Sequence, residues 1–229
     1  MKNLNITHKN LDQKVYLIIK EMINNHRLAP GDKISQEKLA SELGISRTPV
    51  ISALKYLEKE NLVEARPRRG FFVRAFNRQE IIRIFELREV LEGLAARRAA
   101  LAVTDLQIQQ LRNFFSGFMT QDTITNHHAY CCEDYRFHNF VSQIASREFL
   151  KNILTSYNII SFSFQHLSSE GTVCAPDKTL EEHLTIINAI CNRDPNLAEI
   201  MMRQHLQGCI RQLKNKVDMS GASFRPTSN

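Results

Sequence analysis

The sequence predicts a mainly α chain in two parts: a small N-terminal module of helices carrying one β-hairpin, then an all-α bundle of six or seven helices. Three observations predict it. Two short helix-period segments between Ser35 and Glu60 are joined by a three- or four-residue turn containing Gly44 and Ile45. Two β-prone runs, Leu62–Ala65 and Phe71–Arg74, flank the stretch Arg-Pro-Arg-Arg-Gly, which reads as a hairpin with a basic tip. From Asn77 to about Val217 the strand signals stop and only helix-period sequence with polar breaks remains.

The elements follow in order. Residues 10–26 place Leu11, Val15, Ile18, Ile19, Met22 and Ile23 at helical spacing, and a Pro-Gly turn comes next. Ser35 is placed to cap a short helix that Gly44 ends, because glycine tolerates the left-handed conformation at that position. Ser46 is placed to cap the next helix, and Pro49 falls in its first turn, where a missing N–H costs little. Leu39, Val50, Ala53, Leu54 and Leu57 form the expected small core. Beyond Asn77, helices are expected at about 77–102, 104–120, 124–145, 147–168, 178–192 and 195–216, the last opened by Asp194 and Pro195. The domains are therefore 1–76, 77–217 and a polar, disordered tail over 218–229.

Residues 1–76 carry 14 Lys and Arg against 8 Asp and Glu, the whole of the chain's net +6, while the other 153 residues carry 16 of each sign. A basic module for a polyanion and a neutral module for something else is one reading; a solvated basic face is the other. No run of 18 apolar residues exists, so no membrane partner is expected, and the first residues lack the apolar core of a secretory signal. Five scattered cysteines without a CxxC pattern read as reduced thiols in a cytoplasmic protein.

Two helices, a tight turn and a basic hairpin describe a winged helix-turn-helix, whose second helix enters the major groove by its N-terminal end. The residues there are Ser46, Arg47 and Thr48; the wing adds Arg66, Arg68, Arg69 and Gly70. Arginine can bond guanine in a forked geometry, hydroxyls reach phosphates, and glycine lets backbone approach the nucleic acid. A winged fold that binds protein is the bland alternative. The segment from Pro30-Gly31 through Leu39-Ala40, Gly44-Ile45-Ser46-Arg47-Thr48-Pro49-Val50, Ala53-Leu54 and Arg69-Gly70 resembles the DNA-binding domain of GntR-family bacterial transcription regulators. The family commonly has arginine where this chain has Ile51, so recognition is expected to lean on Arg47 and the wing.

In the later half, Asp134 and His138 lie one helical turn apart on a stripe with Tyr130, Phe137, Val141 and Ile144, and so point inward. A buried carboxylate needs a partner. His183 and His205 lie on apolar stripes of the two helices joined at Arg193–Pro195, about 15–16 Å from that turn on either side, hence at the same height. One carboxylate and three imidazoles suit a divalent metal ion, zinc, nickel or manganese, with positions left open for a ligand. Each histidine taken singly reads as an ordinary core residue. The convergence of the four residues favours the metal.

This half resembles the FCD effector domain of FadR-type GntR regulators, in Asp-x-x-x-His, then His, then His 22 residues later, and in the run Leu87-Arg88-Glu89-Val90-Leu91-Glu92. The resemblance implies a metal at Asp134, His138, His183 and His205 that helps bind a small carboxylate, and an arginine facing the cavity, which matches Arg88. Arg88 paired with Glu92 is the alternative. Tyr135, with Phe85 and Ile187, is expected to shape the pocket, and the link Arg74–Arg78 to act as hinge. The expected function is a ligand-responsive repressor, a homodimer on a pseudo-palindromic DNA operator, controlled by a small organic acid and not an enzyme. The rivals are a metal-dependent enzyme fused to a nucleic-acid-binding module, and a constitutive architectural protein with a structural metal.

Overall fold

A computed structural model describes residues 5–120, 124–145, 149–167 and 174–219. The chain divides into two compact units, residues 1–76 and 77–229. The first contains α1 (Asn5–Asn24), β1 (Lys33–Ile34), α2 (Gln36–Leu43), α3 (Arg47–Lys59), β2 (Val63–Arg66) and β3 (Gly70–Val73). Val15, Ile19 and Ile23 of α1 pack with Val50, Ala53, Leu54 and Leu57 of α3 in its core. The α1–α3 seam is tied by Glu60, whose carboxylate accepts from the Tyr16 hydroxyl at 2.5 Å and from Lys20 Nζ at 2.7 Å.

The turn between α2 and α3 follows the local chemistry. The Ser35 hydroxyl accepts from the Lys38 N–H, and Gly44 sits at φ +64°, returning its N–H to the carbonyls of Ala40 and Ser41. Ser46 occupies the N-cap of α3 with extended backbone but makes no side-chain cap hydrogen bond, contrary to its expected role. The sheet also differs from expectation. It has three antiparallel strands in the order β1-β3-β2, and the two-residue β1 is too short to show periodicity. The hairpin register pairs Val63 with Val73 and Arg66 with Gly70. The wing turn is thus Pro67-Arg68-Arg69, with Arg68 at φ +62° and Gly70 at φ +95°. Arg66 belongs to the strand, not the tip.

The second unit holds, among the described residues, six helices: α4 (Arg78–Ala102), α5 (Asp105–Asn113), α6 (His127–Ala145), α7 (Phe149–Leu167), α8 (Pro176–Cys191) and α9 (Pro195–Met219). The long α4 packs against α6, α7, α8 and α9. It begins at a capping box, Asn77 with Glu80, and its buried face ends in Ala95, Ala96, Ala99 and Ala100, small enough for neighbouring helices to approach closely. α5 also opens on a capping box, Thr104 with Gln107. It stops at Asn113, seven residues short of the expected end. Phe115 turns to φ +62°, which buries Phe114 and Phe115.

α8 and α9 form an antiparallel hairpin through Asn192-Arg193-Asp194. Arg193 donates to the Val103 carbonyl at 2.6 Å, and Asp194 accepts from the Leu197 N–H at 3.0 Å, opening α9 at Pro195 as its sequence anticipates. α9 continues to Met219, so it takes in the first two residues of the expected disordered tail; residues 220–229 lie outside the described residues. The reading of five reduced thiols is corrected. Cys174 and Cys209 are joined as a disulfide, Cα to Cα 5.6 Å, while Cys131, Cys132 and Cys191 are free. Two cysteines 35 residues apart give no local motif, and the α8–α9 hairpin brings them together. No helix among the described residues is long and apolar enough to cross a membrane.

Candidate functional site

Asp134 and His138 of α6, His183 of α8 and His205 of α9 each offer one ligand atom, and these atoms all lie within 4.8 Å of one another. Local sequence explains each placement. The i, i+4 spacing stacks Asp134 and His138 on one face of α6. The hairpin turn sets His183 and His205 level. All three rings are buried. His183 stacks on Phe115 at 4.7 Å between ring centroids, which is the use of the early turn after α5.

The far side of every ring is engaged. His138 Nδ1 donates to Glu92, and His205 Nδ1 donates to Glu182 Oε2 at 2.8 Å. His183 Nδ1 meets the Tyr130 hydroxyl at 3.0 Å, and that hydroxyl lies 2.9 Å from Thr179 Oγ1. Thr179 donates to the Ala175 carbonyl, so it accepts from Tyr130, and Tyr130 in turn accepts from His183. All three rings therefore point an Nδ1–H outward and turn Nε2 toward Asp134, where the neutral ring offers a lone pair. The Nε2 atoms of His138 and His183 are buried without a hydrogen-bond partner. His183 Nε2 comes within 3.1 Å of Asp134 Oδ1 and His138 Nε2 within 3.6 Å, close but not aligned as hydrogen bonds. Orphaned lone pairs aimed at one point, with oriented rings behind them, fit a divalent metal ion.

The electrostatics couple these groups tightly and favour a second proton on His138, which a metal at Nε2 would have to replace. Burial opposes the charge of Asp134, yet His138 and His183 hold its carboxyl well below the usual range. Burial also opposes the charge of Glu92, but Arg88 and His138 outweigh it and hold the carboxyl at about 2. Burial lowers His138, while Glu92 and Asp134 raise it further, to about 9. His183 is pushed down to about 4, by burial first and then by the charge of His205. The cluster is polarised as a whole, with Glu92 as its hub.

A small cavity opens beside these groups, lined by Phe85, Arg88, Tyr130, Asp134, His138 and His205 among others. Arg88 faces it, buried, with Nε on Glu92 Oε1 at 2.6 Å and its guanidinium 4.9 Å from the Phe85 ring centroid. Both sequence alternatives for Arg88 hold together: it pairs with Glu92 and lines the cavity. Tyr135 and Ile187 do not line it; Tyr130, one turn before Asp134, takes the place expected of Tyr135. Glu92, Tyr130 and Glu182 are the residues that sequence reasoning missed as site members. Glu92 had a signal, four residues after Arg88 on the same stripe. Glu182, next to His183, had none.

In the first unit, Ser46, Arg47 and Thr48 are all exposed at the N-terminal end of α3. Arg47 reaches Glu37 at 3.1 Å and Gln36 at 3.4 Å. Arg68 and Arg69 are exposed at the wing turn. Arg66 instead lies 4.2 Å over the Phe72 ring and 2.6 Å from Glu64, bracing the strand pair.

Comparison with known proteins agrees with this division. The "Bacterial regulatory proteins, gntR family" domain matches residues 11–73, and the FCD domain matches residues 83–208. The chain is 27% identical over 215 residues to the HTH-type transcriptional repressor RspR of Escherichia coli K12, covering 90% of this chain and 91% of that one. It is 25% identical over 210 residues to the HTH-type transcriptional regulator YdhC of Bacillus subtilis, covering 89% and 91%. The solved structure of E. coli McbR/YncC has a similar fold, with a TM-score of 0.69 at 17% identity over 90% of this chain and 98% of that one. With a helix-turn-helix domain at one end and an FCD domain spanning more than half its length, this chain belongs to the GntR family of bacterial regulatory proteins and is a transcription regulator.

Proposed function

We propose that this regulator is a repressor that binds a pseudo-palindromic operator as a homodimer, with operator affinity set by a small organic acid bound at a metal in the FCD domain. The observation that carries the reading is the trio of Nδ1-anchored histidines with Nε2 lone pairs turned on Asp134. Zinc, nickel or manganese would be held by Asp134, His138, His183 and His205. Such an ion supplies a Lewis-acidic centre that a carboxylate oxygen can join. Arg88, held in place by Glu92, offers the rest of its guanidinium fork to a second oxygen. Residues 1–76 are the DNA-binding domain: Ser46, Arg47 and Thr48 address the major groove, and Arg68, Arg69 and Gly70 the backbone or minor groove, with Arg66 bracing the wing. The matched families and the relatives are transcription regulators, which supports a role other than catalysis. With double-stranded DNA as its partner, it acts in the cytoplasm.

The dimer reading rests on α4. Leu87, Val90, Leu94 and Leu101 are large, apolar and exposed, at spacings of three, four and seven residues, the seam of a helix pairing with a copy of itself. The acid acts by favouring one placement of the DNA-binding domain through the irregular link between β3 and α4, residues 74–77. The test is native mass spectrometry with elemental analysis of freshly purified protein, followed by operator titrations with a panel of mono-, di- and hydroxy-acids. A metal-bearing dimer whose operator affinity shifts about 5–150-fold with one acid is expected. A metal-free monomer indifferent to every acid would refute the reading.

A further inference from the structure

We propose that Cys174 and Cys209 form a reversible dithiol–disulfide site that locks and unlocks the wall of the FCD cavity, making this regulator responsive to hydroperoxides. Both residues are buried, both line the cavity, and their Cα atoms stand 5.6 Å apart, the separation a disulfide requires. Their positions couple them to the metal-ligand set. Cys209 lies one turn beyond His205 on α9. Cys174 adjoins Ala175, whose carbonyl accepts from Thr179 at the outer end of the chain that runs through Tyr130 to His183. The α8–α9 hairpin is pinned at its other end by Arg193. The cross-link closes the open end, so its formation restrains two of the four ligand-bearing positions together. Cys131 also lines the cavity but is unpaired, and Cys132 and Cys191 are free elsewhere, so the pairing is specific.

The chemistry balances with a hydroperoxide as oxidant. One sulfur attacks the peroxide oxygen, the O–O bond breaks, and a sulfenic acid forms with release of an alcohol or water. The second sulfur then displaces water from the sulfenic acid, so two thiols and one hydroperoxide become one disulfide, one alcohol or water, and one further water. A dithiol reductant returns the pair by exchange. In the cross-linked form His183 and His205 are held as the structure shows them. In the dithiol form the start of α8 is released from α9, and the site exchanges its occupant faster. The second half of this statement rests on the metal reading above; the first does not.

The experiment compares the full-length protein, fully reduced, before and after treatment with hydrogen peroxide. The expected result is an intact mass lower by two hydrogens, loss of two alkylatable thiols mapped to Cys174 and Cys209, and reversal by a dithiol. Cys174→Ser and Cys209→Ser should each abolish the change. Zinc-loaded protein should then release its ion to excess chelator at least about three-fold more slowly when oxidised than when reduced, as expected for a pre-organised site. Failure to form the cross-link, formation through Cys131 instead, or identical zinc release in the two states would overturn the proposal. Protein that binds no zinc in either state, yet forms the 174–209 cross-link reversibly, would refute the metal reading and leave the redox site standing.

Discussion

Two arginine–glutamate pairs set the halves of this molecule against each other. Arg47 meets Glu37 at 3.1 Å with the side chains 56% and 76% exposed; Arg88 meets Glu92 at 2.6 Å with 4% and 1% exposed. The charges are the same and the solvent is not. In water the first pair contributes about 0–1 kcal/mol and is screened by salt, so Arg47 can leave Glu37 for a phosphate or a guanine at little cost. Out of water the second pair cannot be parted cheaply, because each charge left behind has no solvent to turn to. A surface that exchanges partners suits DNA binding, and a fixed interior charge suits holding a metal and its ligand in one geometry.

The comparison breaks most visibly at the buried hub. Glu92→Ala should destabilise the protein by about 3–5 kcal/mol, since Arg88 loses its partner and His138 its anchor together; thermal or urea unfolding measures it. Near-unchanged stability would mean that Arg88 finds water in the cavity. Next in size is metal removal. Stripping the ion with a strong chelator should lower stability by about 2.7 kcal/mol at a free metal concentration of a hundred times Kd, and His205→Ala should make the protein insensitive to the chelator. A thermal-shift assay with and without zinc reads both.

On the exposed side the effects are smaller and fall on affinity rather than stability. Arg47→Ala should weaken operator binding by about 1–3 kcal/mol and relax base preference at one position, read by fluorescence anisotropy against a set of operator variants. Arg68→Ala with Arg69→Ala should reduce the slope of log affinity against log salt by about two, one per phosphate contact. The smallest expected effect sharpens the contrast: Glu37→Gln should change stability by no more than about 0.5 kcal/mol. A larger loss would show that the Arg47–Glu37 pair has a structural role.

What could be read in advance followed the range of the interactions. Ser35 and Gly44 write their roles in consecutive residues, and the i, i+4 pair Asp134 and His138 is visible on a single helix. The level placement of His183 and His205 could be counted from one turn. The contacts between Glu92 and His138, or Cys174 and Cys209, join residues 46 and 35 positions apart and leave no periodic trace. Register was lost where one residue decides: the wing tightened because Arg68 takes the left-handed conformation, and α5 ended early because Phe114 turns to an extended backbone just before the left-handed Phe115.

The α8–α9 turn makes the distance along the chain a functional quantity. His183 and His205 are level only because 21 residues separate them, folded back at Arg193. One residue added to or removed from either helix within that interval would swing an imidazole by about 100° and displace it by about 1.5 Å, away from Asp134. Between these two histidines the chain is therefore a ruler, in which most side chains can be exchanged but the length cannot.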